Sequence, residues 1–121
     1  MTNAHAVDDA SNPEDAAARD GVGPVLHATE LGRAVAAAIA AENDGVVVRD
    51  ESAYLRVSAP RVCRVSRAGV ESSTGYAVLF PGDLEVTMPS FAGKVAMNEN
   101  GAVWWLASEP RPDLPAAGSV G

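Results

Sequence analysis

The residues of this chain whose types could do chemistry are few, and their spacing argues against a catalytic or metal-binding centre. The two histidines, His5 and His27, have no partner at a metal-ligand spacing, which is typical of tail and surface histidines. The single cysteine, Cys63, lies on the apolar side of the strand pattern VCRVS, where a free thiol is usually a small buried hydrophobe. A nucleophile would also need a base and an oxyanion site, and the sequence signals neither.

Three short motifs approach catalytic or phosphate-binding signatures, but each lacks a defining part. GVGP at 21–24 has no third glycine and precedes a strand, whereas a phosphate-binding loop joins a strand to a helix. SSTG at 72–75 lacks the spacing and the strand-turn-helix context of a nucleophile elbow. The aspartate pair at 8–9 lies in a stretch too polar to hold two carboxylates in place. The residues therefore predict a protein without a catalytic centre, cofactor or metal.

Length, composition and charge indicate a single domain and argue against a membrane protein or a nucleic-acid binder. A chain of 121 residues with 47% hydrophobic content is long enough for one domain with a core and too short for two. One cysteine allows no internal disulfide, which fits a reducing, cytoplasmic location. No apolar run approaches the roughly 18 residues that cross a bilayer, and the first residues are acidic where a signal peptide is basic. The net charge of −7 argues against binding to nucleic acid.

Charge and proline content divide the chain into a domain and two tails. Residues 1–21, here called the acidic arm, carry five acids against one base and too little apolar surface to offset the entropy of ordering. Residues 108–121 hold three prolines and two glycines. We expect both tails to be mobile, a folded domain over residues 22–107, and a monomer in the free state.

Hydrophobic periodicity predicts an α+β domain of antiparallel sheets packed with two helices. Thr29 and Ser66 each offer a hydroxyl cap to a following helix, although Gly69 and Thr74 disfavour the second helix. Pro24 predicts that the first strand lies at a sheet edge or begins there. The order of strand, helix and two strands occurs twice, which indicates a duplicated β-α-β-β unit. The predicted strands are 22–28, 46–50, 54–59, 62–66, 84–88 and two flanking NENG at 98–101, and the predicted helices are 30–43 and 67–74.

The final hairpin carries two consecutive tryptophans, whose side chains must point to opposite faces of a strand. An Asn-Gly turn at 100–101 predicts a register in which Met97 opposes Trp104. Trp104 is then expected in the core. Trp105, diagonal to Lys94, is expected at or near the surface.

Aromatic and basic residues are the remaining candidates for function. The stretch MPSFAGK at 88–94 leaves a predicted strand through Pro89 and presents Phe91 between small residues. Such a loop is either a shaped contact for a partner or a hinge between two halves of the sheet. Tyr54 and Trp105 are further aromatics that are interface residues or parts of a thin core. A cluster of arginines is solvated surface or a docking patch for an acidic partner; its members are Arg56, Arg61, Arg64 and Arg67.

Three segments resemble the effector, or coupling, proteins of soluble bacterial diiron multicomponent monooxygenases of the toluene, phenol, alkene and isoprene type. They are VGPVLHATEL before the first helix, VVVRDESAYLRVSAP as the first hairpin, and LEVTMPSFAGKVAMNENGAVWWL at the end of the domain. Together they cover about residues 22–107. MPSFAGK following LEV, combined with AYLRV, is the most specific part.

The resemblance implies a cofactor-free protein that is not itself an enzyme. Such a protein docks on the diiron hydroxylase above its diiron site and couples consumption of NADH and O2 to oxidation of a hydrocarbon. The implied partner is the hydroxylase, with competition from the reductase or ferredoxin component. The resemblance also implies an α/β fold of duplicated strand-helix-strand-strand units. The residues that we expect to contact the partner are Tyr54, Arg56, Met88, Ser90, Phe91, Lys94 and Trp105.

Two other classes of function remain open at this point. A stand-alone α+β sensor of small ligands would require a pocket lined by convergent polar groups, and the sequence shows none. An adaptor unrelated to monooxygenases would use the arginine cluster to bind an acidic partner in a salt-sensitive manner.

Overall fold

Three helices and seven strands make up residues 21–115, which are the residues that this computed structural model describes. The rest of the acidic arm and residues 116–121, both predicted to be mobile, lie outside the described residues. The elements follow in chain order as β1 (Gly21–His27), α1 (Glu30–Glu42), β2 (Val47–Glu51), β3 (Tyr54–Pro60), β4 (Val62–Ser66), α2 (Arg67–Thr74), α3 (Gly82–Thr87), β5 (Ser90–Ala92), β6 (Lys94–Asn98) and β7 (Gly101–Trp105).

The strands form two antiparallel sheets whose strand order confirms the predicted duplication. The first sheet has the order β2-β3-β1-β5 and the second has the order β4-β7-β6. In the first unit β1 pairs with β3, and β3 pairs with β2. In the second unit β4 pairs with β7, and β7 pairs with β6, so the pairing pattern is the same. β5 is an addition, because it lies in the second unit of the chain and pairs with β1 of the first. The α+β class and the duplicated units predicted from the sequence are therefore confirmed.

The first helix of each unit begins with the same local chemistry. The Thr29 hydroxyl accepts a hydrogen bond from the amide of Gly32 at 3.1 Å, and the Ser66 hydroxyl accepts one from Gly69 at 3.0 Å. Such caps satisfy amides that have no partner within the helix. Gly69 weakens the helix but leaves room for the carboxylate of Glu42, which a Cβ at position 69 would overlap. Both predicted helices are thus confirmed, and Gly69 has a packing reason.

One core lies between the sheets and the helices. On α1, Val35, Ala38 and Ile39 are buried as the helical stripe predicts, and Leu31 is half-buried. The largest side chain that is fully buried is Trp104. Further members of this core are Val22, Leu26, Leu55, Val57, Cys63, Val65, Val70, Val78, Phe80, Leu84, Met88 and Ala102.

The predicted edge position of the first strand is wrong. β1 lies inside its sheet, between β3 and β5, and Pro24 opposes Phe91 of β5. The paired positions of β1 and β3 skip Gly23 and Pro24, which is where proline has no amide proton to donate. The pairing between β1 and β3 is therefore interrupted at Pro24 although β1 is an interior strand. On its other edge, β1 pairs with β5.

The strand predicted at 84–88 is instead helix α3. Leu84 and Thr87 are buried while Val86 is 80% exposed, so the buried positions follow helical spacing and not alternation. The amide of Asp83 donates to the carbonyl of Leu79 at 2.8 Å, and the Asp83 carboxylate accepts from the Leu79 amide at 2.9 Å. These reciprocal bonds stabilise the start of the helix.

The last hairpin forms with a register two residues away from the predicted one. Asn98 opposes Gly101, Val95 opposes Trp104, and Lys94 directly opposes Trp105. The Asn98 side chain accepts hydrogen bonds from the amides of Asn100 and Gly101 at 2.8 and 3.0 Å, which sets the turn. Because the shift is an even number of residues, every side chain keeps its predicted face.

Residues 106–115, here called the covering segment, lie against the outer face of the second sheet. The Arg64 guanidinium donates to the carbonyl of Asp113 at 2.8 Å, and the Asn98 side chain donates to that of Pro115 at 3.2 Å. Arg61 forms an ion pair with Glu109. Most of this segment belongs to the stretch 108–121 predicted as a mobile tail, and the structure places it against the sheet.

The longest helix among residues 21–115 has 13 residues, and none of the helices there is long and apolar enough to cross a membrane.

Candidate partner-binding surface

The face of the first sheet that points away from α1, here called the open face, carries side chains from all four of its strands. Strand pairing aligns Arg49 with Arg56, Arg56 with Val25, and Val25 with Ser90. These residues therefore form one row across the sheet, because directly opposed residues share a face. Arg56 and Ser90 are both exposed.

A shallow groove of about 370 Å³ crosses this face. Its lining includes the small residues Gly23, Ser58 and Ala92, with the two arginines Arg49 and Arg56 beside them. A Cβ at position 23 would meet the carbonyl oxygen of Val57, and the backbone there has a φ of +146°. Glycine is therefore required at this point, where the backbone packs closely against Val57 and the buried Cys63.

The groove contains both signs of charge. Nε of Arg56 lies 3.5 Å from Oε1 of Glu51, and both side chains are about half exposed. An exposed pair of this kind contributes little to folding stability. The pair of Arg56 and Glu51 instead gives the groove a polar border beside its small residues.

Aromatic side chains lie at two borders of the open face. Tyr54 is 41% exposed and opposes His27, with ring centroids 5.4 Å apart. Phe91 is 44% exposed on the edge strand β5 and lines the groove, but it opposes the buried Pro24, so its ring is directed to the other face of the sheet. Large rings held on strands suit protein contact, because they bury much area at a small cost in entropy.

The MPSFAGK stretch forms a structural link between the two sheets. β5 pairs with β1 of the first sheet, and after Gly93 the chain enters β6 of the second sheet. Gly93 has a φ of +92°, and a Cβ there would approach the carbonyl of Trp105 and the side chain of Val22. From the sequence, this loop was either a contact for a partner or a hinge between two halves of the sheet. The structure shows that it joins the two sheets and leaves Phe91 exposed.

Four of the seven residues predicted to contact a partner lie on or beside the open face; they are Tyr54, Arg56, Ser90 and Phe91. Lys94 is exposed as well, but it begins β6 in the second sheet. Met88 and Trp105, also predicted to contact a partner, are buried, with only 8% and 7% accessible, so the expected exposure of Trp105 is wrong.

Each of the two buried residues has a physical reason. Met88 ends helix α3 and packs in the core, because the stretch before it is a helix and not a strand. Trp105 and Val103 are buried but do not belong to the core cluster, so they lie on the other face of β7. The covering segment is anchored to that same face through Arg64 and Asn98, which places it where it can shield the indole from solvent.

The four arginines that are close in the sequence do not form one basic patch. Arg56 pairs with Glu51, and Arg61 with Glu109. The guanidinium of Arg64 binds the Asp113 carbonyl. That of Arg67 binds Glu71 and the carbonyl of Glu99, at 3.0 and 2.9 Å. All four charges are engaged within the chain, which removes the support for a docking patch made from the cluster.

An exposed apolar patch around α3 was missed by the sequence analysis. Tyr76, Leu79 and Val86 are 48%, 74% and 80% exposed. Leu79 lies in the loop before α3, and its carbonyl accepts from the Asp83 amide at the start of that helix, while Val86 lies within it. The assignment of 84–88 to a strand obscured the exposure of Val86.

The described residues also limit the chemistry that the domain can perform. Cys63 is buried, and burial, with a smaller contribution from Glu42, raises its pKa to about 12. The thiol is protonated at neutral pH and is a poor nucleophile. Among residues 21–115, no three His, Cys, Asp or Glu side chains lie close enough to share a metal ion.

Comparison with known proteins gives a consistent result. The chain is 34% identical over 89 residues to the alkene monooxygenase system effector subunit of Xanthobacter autotrophicus (strain Py2), a match that covers 72% of this chain and 87% of that subunit. A chain in a structure of a phenol hydroxylase and regulatory protein complex superposes with a TM-score of 0.62 at 18% identity, over 70% of this chain and 95% of that chain. Residues 20–105 match the model of the MmoB/DmpM family, and this protein therefore belongs to that family.

Proposed function

We propose that this protein is the effector subunit of a multicomponent monooxygenase and acts by docking on the diiron hydroxylase of that system. The observation that carries the proposal is the 34% identity to an alkene monooxygenase effector subunit over 87% of its length. The structural likeness to a chain of a phenol hydroxylase complex supports the fold on which this function would rest.

The mechanism we propose is a shift in the conformational population of the hydroxylase. A protein without an active site changes another protein's turnover only through different affinities for the states of that protein. The protonated Cys63 and the lack of a metal-ligand cluster among residues 21–115 fit a role without a cofactor. Docking would favour the hydroxylase state in which O2 activation and electron delivery lead to oxidation of the hydrocarbon.

The open face is our proposed contact surface. It places Arg56 and Ser90 in one row with the ring of Tyr54 at the border, so an aromatic anchor stands beside polar groups, and the exposed Phe91 follows on the adjoining edge strand. Protein interfaces commonly combine aromatic anchors with a polar rim. Lys94, exposed just beyond Gly93, would contact the partner at the margin of this surface.

Neither alternative function gains a supporting observation. The arginines expected to form an adaptor patch each bind a group within the chain. The groove on the open face is shallow, and its charged pair Arg56 and Glu51 is about half exposed, so the groove does not enclose a small ligand.

The test is a titration of the purified protein into a fixed amount of hydroxylase and reductase. Product formed per NADH consumed should rise to an optimum near one effector per active site. It should fall in excess, because the effector and the reductase or ferredoxin would compete for the hydroxylase. A flat response across the titration would contradict the proposal.

A further inference from the structure

Strand β2 is an exposed edge of the first sheet. It pairs with β3 on one side and ends the strand order β2-β3-β1-β5, so its other side carries no strand of residues 21–115. Val47 is half-buried, and the four residues after it are exposed. A strand in this position presents backbone amides and carbonyls to which a further strand can bond.

The register of the first hairpin shows which backbone groups of β2 point outward. Glu51 opposes Tyr54 across a loop of two residues. Residues that flank such a loop exchange hydrogen bonds, and hydrogen-bonded pairs then alternate along the hairpin. Counting back from Glu51, every second residue bonds to β3. The amides and carbonyls of Val48 and Asp50, which lie between, point away from the sheet.

The strand before the helix has its edge closed in both units. In the second unit, the Asn43 side chain accepts from the amide of Arg64 at 2.9 Å and donates to its carbonyl at 2.7 Å. The Glu42 carboxylate accepts from the amide of Ser66 at 2.9 Å. In the first unit, β5 pairs with the edge of β1. Within residues 21–115, the backbone of β2 receives no comparable hydrogen bond from outside its sheet.

We propose that β2 accepts an extended segment of the diiron hydroxylase as an added strand, bonded to the backbone of Val48 and Asp50. The added strand would continue the proposed contact surface, because Arg49 of β2 lies in the row that runs through Arg56 to Ser90. This inference rests on the proposed function, and it specifies how the partner is held.

The side chains of β2 define the chemistry of the segment. Val48 opposes the buried Val57 and is 42% exposed, so an apolar residue beside it would complete its burial. Arg49 is exposed on the open face, where an acidic residue of the partner would complement its charge. A segment in which apolar and acidic residues alternate therefore fits this edge.

A second copy of this chain is a poorer occupant of the edge. Only one antiparallel register between two β2 strands uses the outward groups of both Val48 and Asp50 in each copy. That register places Arg49 opposite Arg49 of the other copy, and like charges in direct opposition destabilise a strand pair.

Amide hydrogen exchange, read residue by residue, tests the added strand. In the free protein, the amides of Val48 and Asp50 should exchange rapidly, while those of Arg49 and Glu51 are protected by β3. Saturation with hydroxylase should slow exchange at Val48 and Asp50 by about tenfold or more, because both become hydrogen-bonded. Contact through side chains alone would not protect this alternating pair.

Two variants at one position separate the backbone from the side chain. Val48→Pro removes an outward amide and leaves the bonds to β3 in place, as edge strands permit. It should raise the Kd for the hydroxylase by about two- to twelvefold, the factor that corresponds to one lost hydrogen bond. Val48→Ile keeps both the amide and an apolar side chain, so its Kd should match that of the unsubstituted protein. The exchange measurement needs neither variant and stands if Val48→Pro fails to fold.

The outcomes distinguish this inference from the docking proposal. If the hydroxylase binds and coupling rises while Val48 and Asp50 still exchange rapidly, the added strand is overturned and docking stands. Protection of both amides in the free protein, increasing with protein concentration, would assign the edge to a second copy and overturn the inference. Equal Kd values for the folded proline and isoleucine variants would do the same. A flat hydroxylase titration would overturn the docking proposal and the added strand with it.

Discussion

The two sheets of this domain are built from the same repeated β-α-β-β unit, yet their outer faces differ in how far they are exposed to solvent. The outer face of the second sheet holds Trp105 and Val103, both buried, and the covering segment is anchored to that face. The open face of the first sheet holds exposed polar residues, a groove, and the half-exposed ring of Tyr54. A repeated fold therefore does not require repeated surfaces. One copy can be sealed by a chain extension while the other remains available for a partner.

The largest loss of stability is expected from a substitution in the core that the two sheets share. Trp104→Ala should lower the free energy of unfolding by about 3–5 kcal/mol, because Trp104 is fully buried and its truncation removes apolar contacts and leaves a cavity. A denaturant melt measures the loss. A cost below about 1 kcal/mol would mean that the second sheet contributes far less to the core than its burial indicates.

A smaller effect should follow from removing the cover of the second sheet. Truncation after Leu106 exposes the faces of Trp105 and Val103 and should cost about 2–3 kcal/mol through lost apolar burial. Tryptophan fluorescence should shift to longer wavelength while the fold is retained. Unchanged fluorescence and stability would show that the covering segment does not protect Trp105, and the contrast between the sheets would fail.

The smallest change in stability, with a selective loss of function, is expected on the open face. Tyr54→Ala should cost less than about 1 kcal/mol because the ring is 41% exposed, yet it should weaken hydroxylase activation. Tyr76→Ala is the matched control, as its ring is 48% exposed and lies outside this face. Coupled turnover measures both variants. If they reduce activation equally, the open face is not the specific contact.

Trp105 shows how the structure changes an expectation about function. The sequence places it on the face opposite to Trp104, and the core cluster confirms this, since it includes Trp104 and excludes Trp105. Alternation along a strand fixes the face of a side chain but not what covers that face. The cover comes from residues that strand patterns do not describe. Trp105→Ala should therefore reduce stability and should not selectively reduce activation.

The features that could be predicted are those that local chemistry decides. Hydroxyl caps at Thr29 and Ser66, the helical stripe on α1 and the alternation of Leu55 and Val57 each depend on neighbouring residues. The duplication of the β-α-β-β unit could be predicted as well, because the order of strands and helices repeats along the chain.

The features that could not be predicted depend on contacts distant in sequence. β1 became an interior strand because β5 pairs with it from more than sixty residues away. The stretch 84–88 alternates like a strand, but its burial follows helical spacing. The turn of the last hairpin was set by the Asn98 side chain, whose bonds compete with the favoured Asn-Gly turn. The candidate site was predictable only where exposure follows from alternation, as at Tyr54 and Arg56.

Strand β5 has a consequence for how the domain holds together. It belongs to the second unit by sequence but completes the sheet of the first, and Gly93 passes the chain directly into β6. The first unit alone would present an unpaired strand edge along β1, which is a site for self-association. The two copies are thus no longer separable modules. Because β5 links the two sheets, we expect both copies to unfold together as one cooperative unit.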